Sequence, residues 1–340
     1  MARVLIALTP AAAASVYWFG PRALAVIAVS VLSCAGFEAL FRVMIKKPVT
    51  LADGSAAVTG LLLAFLLPPS VPLWMPVVGA LFAIVIVKQL FGGLGANFMN
   101  PALAARVFLQ TAYPEKMISW VAPGGLFKTE TYTSAASGAT AVSSATAASG
   151  ATAASGATSA VVDAVSSATP LSLLKYASMT PTARDYIDAL IGNIGGSLGE
   201  TCAIALLAGG LFLLITKIID WKIPFTYIAT VFLFSWVLGR GGAFGGDPLY
   251  ELLVGGLFMG AFFMATDYAT SPSGPAGQLV FGVGCGVITV LIRFYGGYPE
   301  GVNYAILVMN LTTPLLDKYL RPRVFGHKRR KRGAGDARRV

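Results

Sequence analysis

The feature that most constrains this chain is the recurrence of long apolar runs. The stretch ALAVIAVSVLSCAGFEALF, residues 23–41, has Glu38 as its one charged side chain. About 20 apolar residues cross a bilayer as a helix, and in lipid a single-segment span must satisfy its backbone polar groups internally. Ten such stretches are read, near 3–19, 22–44, 55–68, 71–90, 99–113, 199–219, 223–239, 250–266, 276–293 and 302–320. Charged residues make up 12% of the chain and hydrophobic ones 56%, whereas a soluble domain carries roughly a quarter charged. The pattern predicts an all-α polytopic membrane protein and excludes a soluble globular domain. The first run lacks a cleavage site followed by a soluble domain, so it reads as a span rather than a secretory leader.

Few residues here bring chemistry of their own. Cys34, Cys202 and Cys285 stand alone within apolar stretches, with no CxxC pair. The pattern argues against an iron–sulfur cluster or structural zinc held by this chain alone. His327 is the single histidine and lies in a basic tail, which argues against histidine-ligated haem in the membrane and a Ser-His-Asp hydrolase. What electron or group chemistry remains must use a bound cofactor or no cofactor at all.

Charge sets the expected orientation. The terminal GHKRRKRGAGDARRV holds seven Lys and Arg against one Asp, supplying six of the ten net charges. It reads as a cytoplasmic anchor that also suits anionic lipid, with nucleic acid a poor fit. Ten spans then place both termini in the cytoplasm. Arg3, Arg42, Lys46, Lys47, Lys88, Lys217 and Lys222 flank that side, and Arg22, Arg240 and Arg293 the other. The loop 114–198 falls on the extracytoplasmic face. Residues 1–113 form a first membrane repeat and 199–323 a second, with 324–340 as the tail. FGGLGANFMNPA (91–102) and YGGYPEGVNYAI (295–306) resemble one another, and five spans per half is odd, so the repeat is inverted. The short spans 55–68 and 99–113 read as discontinuous helices lining a cavity. The pairs Gly92/Gly93 and Gly296/Gly297 read as places of close backbone approach where broken helices meet.

Within the loop, 133–160 holds only Ala, Ser, Gly, Thr and Val and reads as a flexible linker. Five Ser-x-Ala-Thr units end at Thr140, Thr146, Thr152, Thr158 and Thr169. Only Thr169 has an acid six residues upstream, Asp163, and only Thr169 precedes Pro-Leu. Pro170 biases Thr169 toward an extended conformation, which presents its hydroxyl to a modifying enzyme. Residues from Asp163 onward read as a small ordered cap.

The run Asp163-Ala-Val-Ser166-Ser167-Ala168-Thr169 resembles the motif at which a flavin transferase attaches FMN to threonine through its phosphate. DGSAAVTGLLLAFLLPP (53–69), GGLGANFMNPALAARVFL (92–109), GGSLGETCAIALLAGG (195–210) and MATDYATSPSGPAGQ (264–278) resemble the NqrB/RnfD family. That family joins the RnfD component of the Rnf electron-transport complex with the NqrB component of the sodium-translocating NADH:quinone reductase. The resemblance covers about residues 20–323, and the direct start at the first span favours the Rnf type. It implies a ten-helix inverted repeat in the inner membrane of a bacterial or archaeal cell, with FMN esterified to Thr169 (motif 163–171). It also implies a noncovalent flavin such as riboflavin in the membrane part, and electron relay between Rnf subunits coupled to Na⁺ or H⁺ movement. Ser167 stands where the family commonly has Gly, while Thr140, Thr152 and Thr158 end full SGAT units without the acid. The alternatives are a quinone-reductase subunit and a plain inverted-repeat transporter with an unmodified loop.

Other positions stand out because ions are costly in a membrane. Arg106 is expected to face the interior and pair with an acid or cofactor, or else to snorkel from a short span. Glu38, Glu200 and Asp267 read as a possible ion path. Against that, Glu38 has Arg42 one turn away, Glu200 suits a helix start, and Asp267 suits a cap or polar wall. Asn100, Arg106, Thr266 and Asp267 are candidates for a flavin pocket at the polar breaks.

Overall fold

The computed structural model describes residues 1–48, 51–121, 123–124, 169–176, 181–239 and 245–320. Asp163, Ser166, Ser167, Ala168, Thr140, Thr146, Thr152, Thr158, Arg240, the linker and the basic tail lie outside the described residues. All longer elements among the described residues are helices. Helices α1 (Ala2–Phe19) and α2 (Pro21–Met44) meet at Gly20. In α2 the buried residues are Ala23, Val26, Ser30, Cys34 and Glu38, spaced three and four apart along one stripe. Leu24, Leu32 and Leu40, off that stripe, are exposed. Leucines facing outward from a helix this long are the signature of a lipid-facing surface. By length and composition, α1, α2 and α13 (Pro275–Tyr295) suffice to cross a membrane.

Several other apolar stretches are shorter helices or broken ones. Helix α3 (Ser55–Phe65) stops early, α4 (Trp74–Leu81) continues as a π-helix over Phe82–Gln89, and α5 is Pro101–Ala112. After the short α6 (Pro114–Ile118) come α7 (Pro170–Tyr176), α8 (Ala183–Ile191), α9 (Ala203–Ile215) and α10 (Lys222–Val237). The expected span 250–266 is two pieces, α11 (Pro248–Leu253) and α12 (Leu257–Met259), the latter running into a π-helix over Gly260–Met264. Helix α14 (Val302–Tyr319) closes the described fold.

A broken helix inside an apolar protein needs partners for its freed carbonyls. After α3, the backbone N–H groups of Gly199 and Leu198 donate to the carbonyls of Phe65 and Leu67 at 2.9 and 3.1 Å, and the Arg106 guanidinium takes the Leu66 carbonyl. After α11, Arg293 donates to the carbonyls of Glu251, Val254 and Gly255. Gly255 and Gly256, at φ +82° and +66°, make that break, since other residues are strained there. Arg293 was expected as a flanking charge; it is 0% exposed, because these three carbonyls need its donors.

The glycine pairs depart in part from expectation. Gly92 and Gly93 supply left-handed turn geometry, φ +117° and +96°, rather than close packing; a Cβ on Gly296 would meet the Ile292 carbonyl oxygen at 2.6 Å, as expected of close approach, whereas one on Gly297 would meet open space. Close approach between separate helices occurs where α1 crosses α9, because a Cβ on Gly209 would run into the Ala7 carbonyl oxygen. Gly209→Leu is therefore expected to lower thermal stability in detergent by about 1–3 kcal/mol. An unchanged melting curve would refute this reading of the crossing.

Candidate functional site

Two polar regions lie at opposite ends of α1, whose 18 residues span ~27 Å. Met1 lines a cavity at one end. At the other, Trp18 donates to the Ile191 carbonyl at 3.1 Å, beside the Thr169 region.

Thr169 heads α7. Its hydroxyl oxygen accepts from the Ser172 N–H at 3.2 Å, and its carbonyl accepts from the Ser172 hydroxyl at 2.7 Å. Leu171 and Leu174 bury against Ala189, Tyr250 and Val254, which draws the segment onto the protein. Lys175 pins it further by donating to the carbonyls of Ile292, Gly296 and Tyr298. Thr169 is consequently only 5% exposed. The hydroxyl expected to be presented is thus buried in the docked segment, although Thr169 stays outside the helix as Pro170 predicts.

Thr169 shares a small cavity with Glu200, Thr201, Gly196, Gly255 and Glu300. Directly at this cavity lies a buried ion triplet. Arg106, 2% exposed, has Nη1 3.6 Å from Glu200 Oε1, while Nη2 contacts Glu300 Oε2. Glu200 lies in the turn before α9 rather than capping it from the first turn, and its carboxyl packs against Gly256, where a Cβ would come within 2.6 Å of Oε1. The partner Glu300 was not foreseen. Its only signal was an acid inside the glycine-rich break YGGYPEGVN.

The second region surrounds a cavity of about 380 Å³ lined by Asn100, Thr266, Asp267, Asn97, Lys88 and Ser55, with Leu62, Phe262 and Phe263 as apolar wall. Three of the four pocket candidates thus come together, and Arg106 belongs to the other site. Asn100 caps α5, its side-chain oxygen accepting from Ala102 N–H at 3.0 Å and Leu103 N–H at 3.4 Å, and its amide nitrogen donates to the Met264 carbonyl. Thr266 donates to the Phe262 carbonyl at 2.6 Å, and Asp267 accepts from the Thr270 hydroxyl at 3.5 Å. The cavity falls in the range of small-molecule pockets, about 300–1,000 Å³.

Lys88 ties this cavity to Glu38. Its Nζ donates to Glu38 Oε2 at 3.0 Å and to Ser55 Oγ at 2.7 Å. Glu38, 0% exposed, also receives Gln89 at 3.0 Å and lies 3.6 Å from Arg42. Lys88 was expected as a flanking charge, yet it is buried, because a fully buried carboxylate requires close cations. Lys88→Met is expected to destabilise by roughly 1.5–3 kcal/mol, the value of a hydrogen bond to a charged group. A detergent-phase melting curve checks this, and Arg42 limits the loss.

Long lipid-facing helices, helices broken around carbonyl-binding arginines, and ion networks buried between them define a polytopic membrane protein. The NQR2, RnfD, RnfE family model matches residues 1–326, and the chain belongs to that family. It is 44% identical over 328 residues to the D component of the Na⁺-translocating ferredoxin:NAD⁺ oxidoreductase complex of Acetobacterium woodii, covering 96% of this chain and 90% of that one. Its identity to the D component of the proton-translocating ferredoxin:NAD⁺ oxidoreductase complex of Clostridium ljungdahlii is 41%, over 96% and 91% of the two chains. The corresponding component of the ion-translocating oxidoreductase complex of Shewanella amazonensis is likewise 41% identical, over 96% and 93%.

Proposed function

We propose that this chain is the RnfD-type membrane component of an ion-translocating ferredoxin:NAD⁺ oxidoreductase, carrying FMN esterified through its phosphate to Thr169. The observation that carries the reading is the pairing of Asp163, Ser166 and Thr169 in one motif with identity above 40% to two such components along nearly the whole chain. Bound flavin accepts electrons singly or in pairs; the protein's part is placement. The residues suit the ester. The Thr169 hydroxyl donates to no acceptor among the described residues, and its oxygen keeps a lone pair for Ser172 N–H. Thr201, whose hydroxyl has no partner among the described residues, lines the same cavity. Because the docked hydroxyl is buried, attachment by the flavin transferase precedes docking of α7 onto Leu171's neighbours.

A noncovalent flavin such as riboflavin fits the larger cavity, where Lys88, Asn97, Asn100 and Asp267 offer polar contacts and the phenylalanines an apolar face. The ten-span inverted repeat is supported by packing: α2 lies on α3 and on α4 with its π-helix, and correspondingly α10 lies on α11 and α13. Helices α1 and α9 cross at the join of the halves. Thr169 then faces the extracytoplasmic side, where other members of the complex exchange electrons with it, and Glu38 and Asp267 at one end of α1 and Glu200 at the other mark a path for Na⁺ or H⁺.

Cleavage of the purified complex before Asp163 and before Asp185 isolates Thr169 from the other Ser-x-Ala-Thr units. An FMN adduct on that peptide is expected. An adduct only on the preceding peptide would assign another threonine. No adduct, from cells with an active flavin transferase, would leave the transporter reading in its place.

A further inference from the structure

The ion triplet below Thr169 is unbalanced in charge. The side chains of Glu200 and Glu300 are 8% and 10% exposed and that of Arg106 is 2%. Two ionised acids with one guanidinium would leave a net negative charge where water scarcely reaches, a state that burial opposes strongly. Among the described residues Arg106 is the cation that contacts both acids, while Lys175 donates to the carbonyls of Ile292, Gly296 and Tyr298. Tyr304, from α14 and stacked on Tyr298, approaches Glu300 and Arg106, the Gly256 backbone covers Glu200, and Arg293 is turned to three carbonyls.

Two further observations point to the ligand. Arg106 brings the two acids onto one guanidinium, Nη1 3.6 Å from Glu200 Oε1 and Nη2 against Glu300 Oε2. An ionised carboxylate only accepts, so two buried acids that share one cation are balanced by one proton between them. In addition, Thr201 is 1% exposed, its hydroxyl has no partner among the described residues, and it lines the cavity that both acids and Thr169 share. That cavity, about 10 Å³, meets the lower bound for one water, ~10–15 Å³, enough for a relay between hydroxyl and carboxyl.

We propose that Glu200 and Glu300 form a one-proton site, loaded from and released to the solvent on the Thr169 side. With one shared proton, the cluster of Arg106, one carboxylate and one carboxylic acid is neutral. The inference rests on these residues alone and holds whether or not Thr169 is modified. Such a proton lies beside the residue proposed to carry electrons, where a change of charge would draw it in or expel it.

The test is infrared spectroscopy of the protonated-carboxyl stretch in the purified full complex across a pH series. Wild type minus E200Q and wild type minus E300Q are each expected to show one band that shifts in D₂O and fades as pH rises. Either substitution alone abolishes it, because the remaining carboxylate then has Arg106 to itself. Thr169→Ala is expected to keep the band, which separates this site from the flavin assignment. A band that survives in either single variant, or none in the wild type, would overturn the proposal. So would loss of the band on adding NaCl but not KCl at fixed pH, which would reassign the pair to Na⁺. The wild-type pH series decides the matter even if a variant fails to assemble.

Discussion

Replacing Arg106 with leucine is expected to remove on the order of 3–5 kcal/mol of stability, the cost of stripping one partner from a buried ion pair. The loss has two parts. Glu200 and Glu300 lose their shared cation, and the Leu66 carbonyl loses the donor that satisfies it after α3 ends. A domain stable by about 5–15 kcal/mol tolerates little of this, so the variant should fail to assemble or melt far earlier in detergent. Arg106→Lys is expected to recover only part, since an ammonium cannot present the two-pronged guanidinium geometry. Wild-type melting in Arg106→Leu would show that the triplet contributes nothing to the fold.

The second large effect concerns function rather than folding. Thr169→Ala is expected to abolish the covalent FMN adduct and to reduce ferredoxin-dependent NAD⁺ reduction by the complex to background. The fold should survive, because among the described residues the hydroxyl's structural role is to accept from Ser172 N–H, a cap worth about 0.5–2 kcal/mol. Thr158→Ala, at a unit without the acid, is expected to leave both readouts unchanged. Full activity in Thr169→Ala would remove the residue from the electron path, while loss of activity with the adduct intact elsewhere would point to another threonine.

The helical membrane class was legible from the apolar runs, since backbone in lipid leaves few alternatives. So was the singularity of Thr169, because an acid at a fixed upstream spacing and a following proline are local features. Helix length was less legible. The run from 250 to 266 looks continuous by composition, yet Gly255 and Gly256 take positive φ and split it, an option open only because Arg293 from α13 reaches the freed carbonyls.

The ion networks divide in the same way. Glu38 and Arg42 are one turn apart and therefore visible in the chain, but Lys88, which approaches Glu38 more closely, comes from fifty residues away. Arg106 advertised its need for an anion by lying within an apolar run, but nothing local distinguished Glu300, 194 residues further along, as that partner. By itself the sequence determined which residues need compensation, because the cost of burying charge and backbone is incurred locally. The tertiary structure alone decided what compensates them, and whether Thr169 is open or buried, because those depend on which distant helix ends the packing brings within reach of one another.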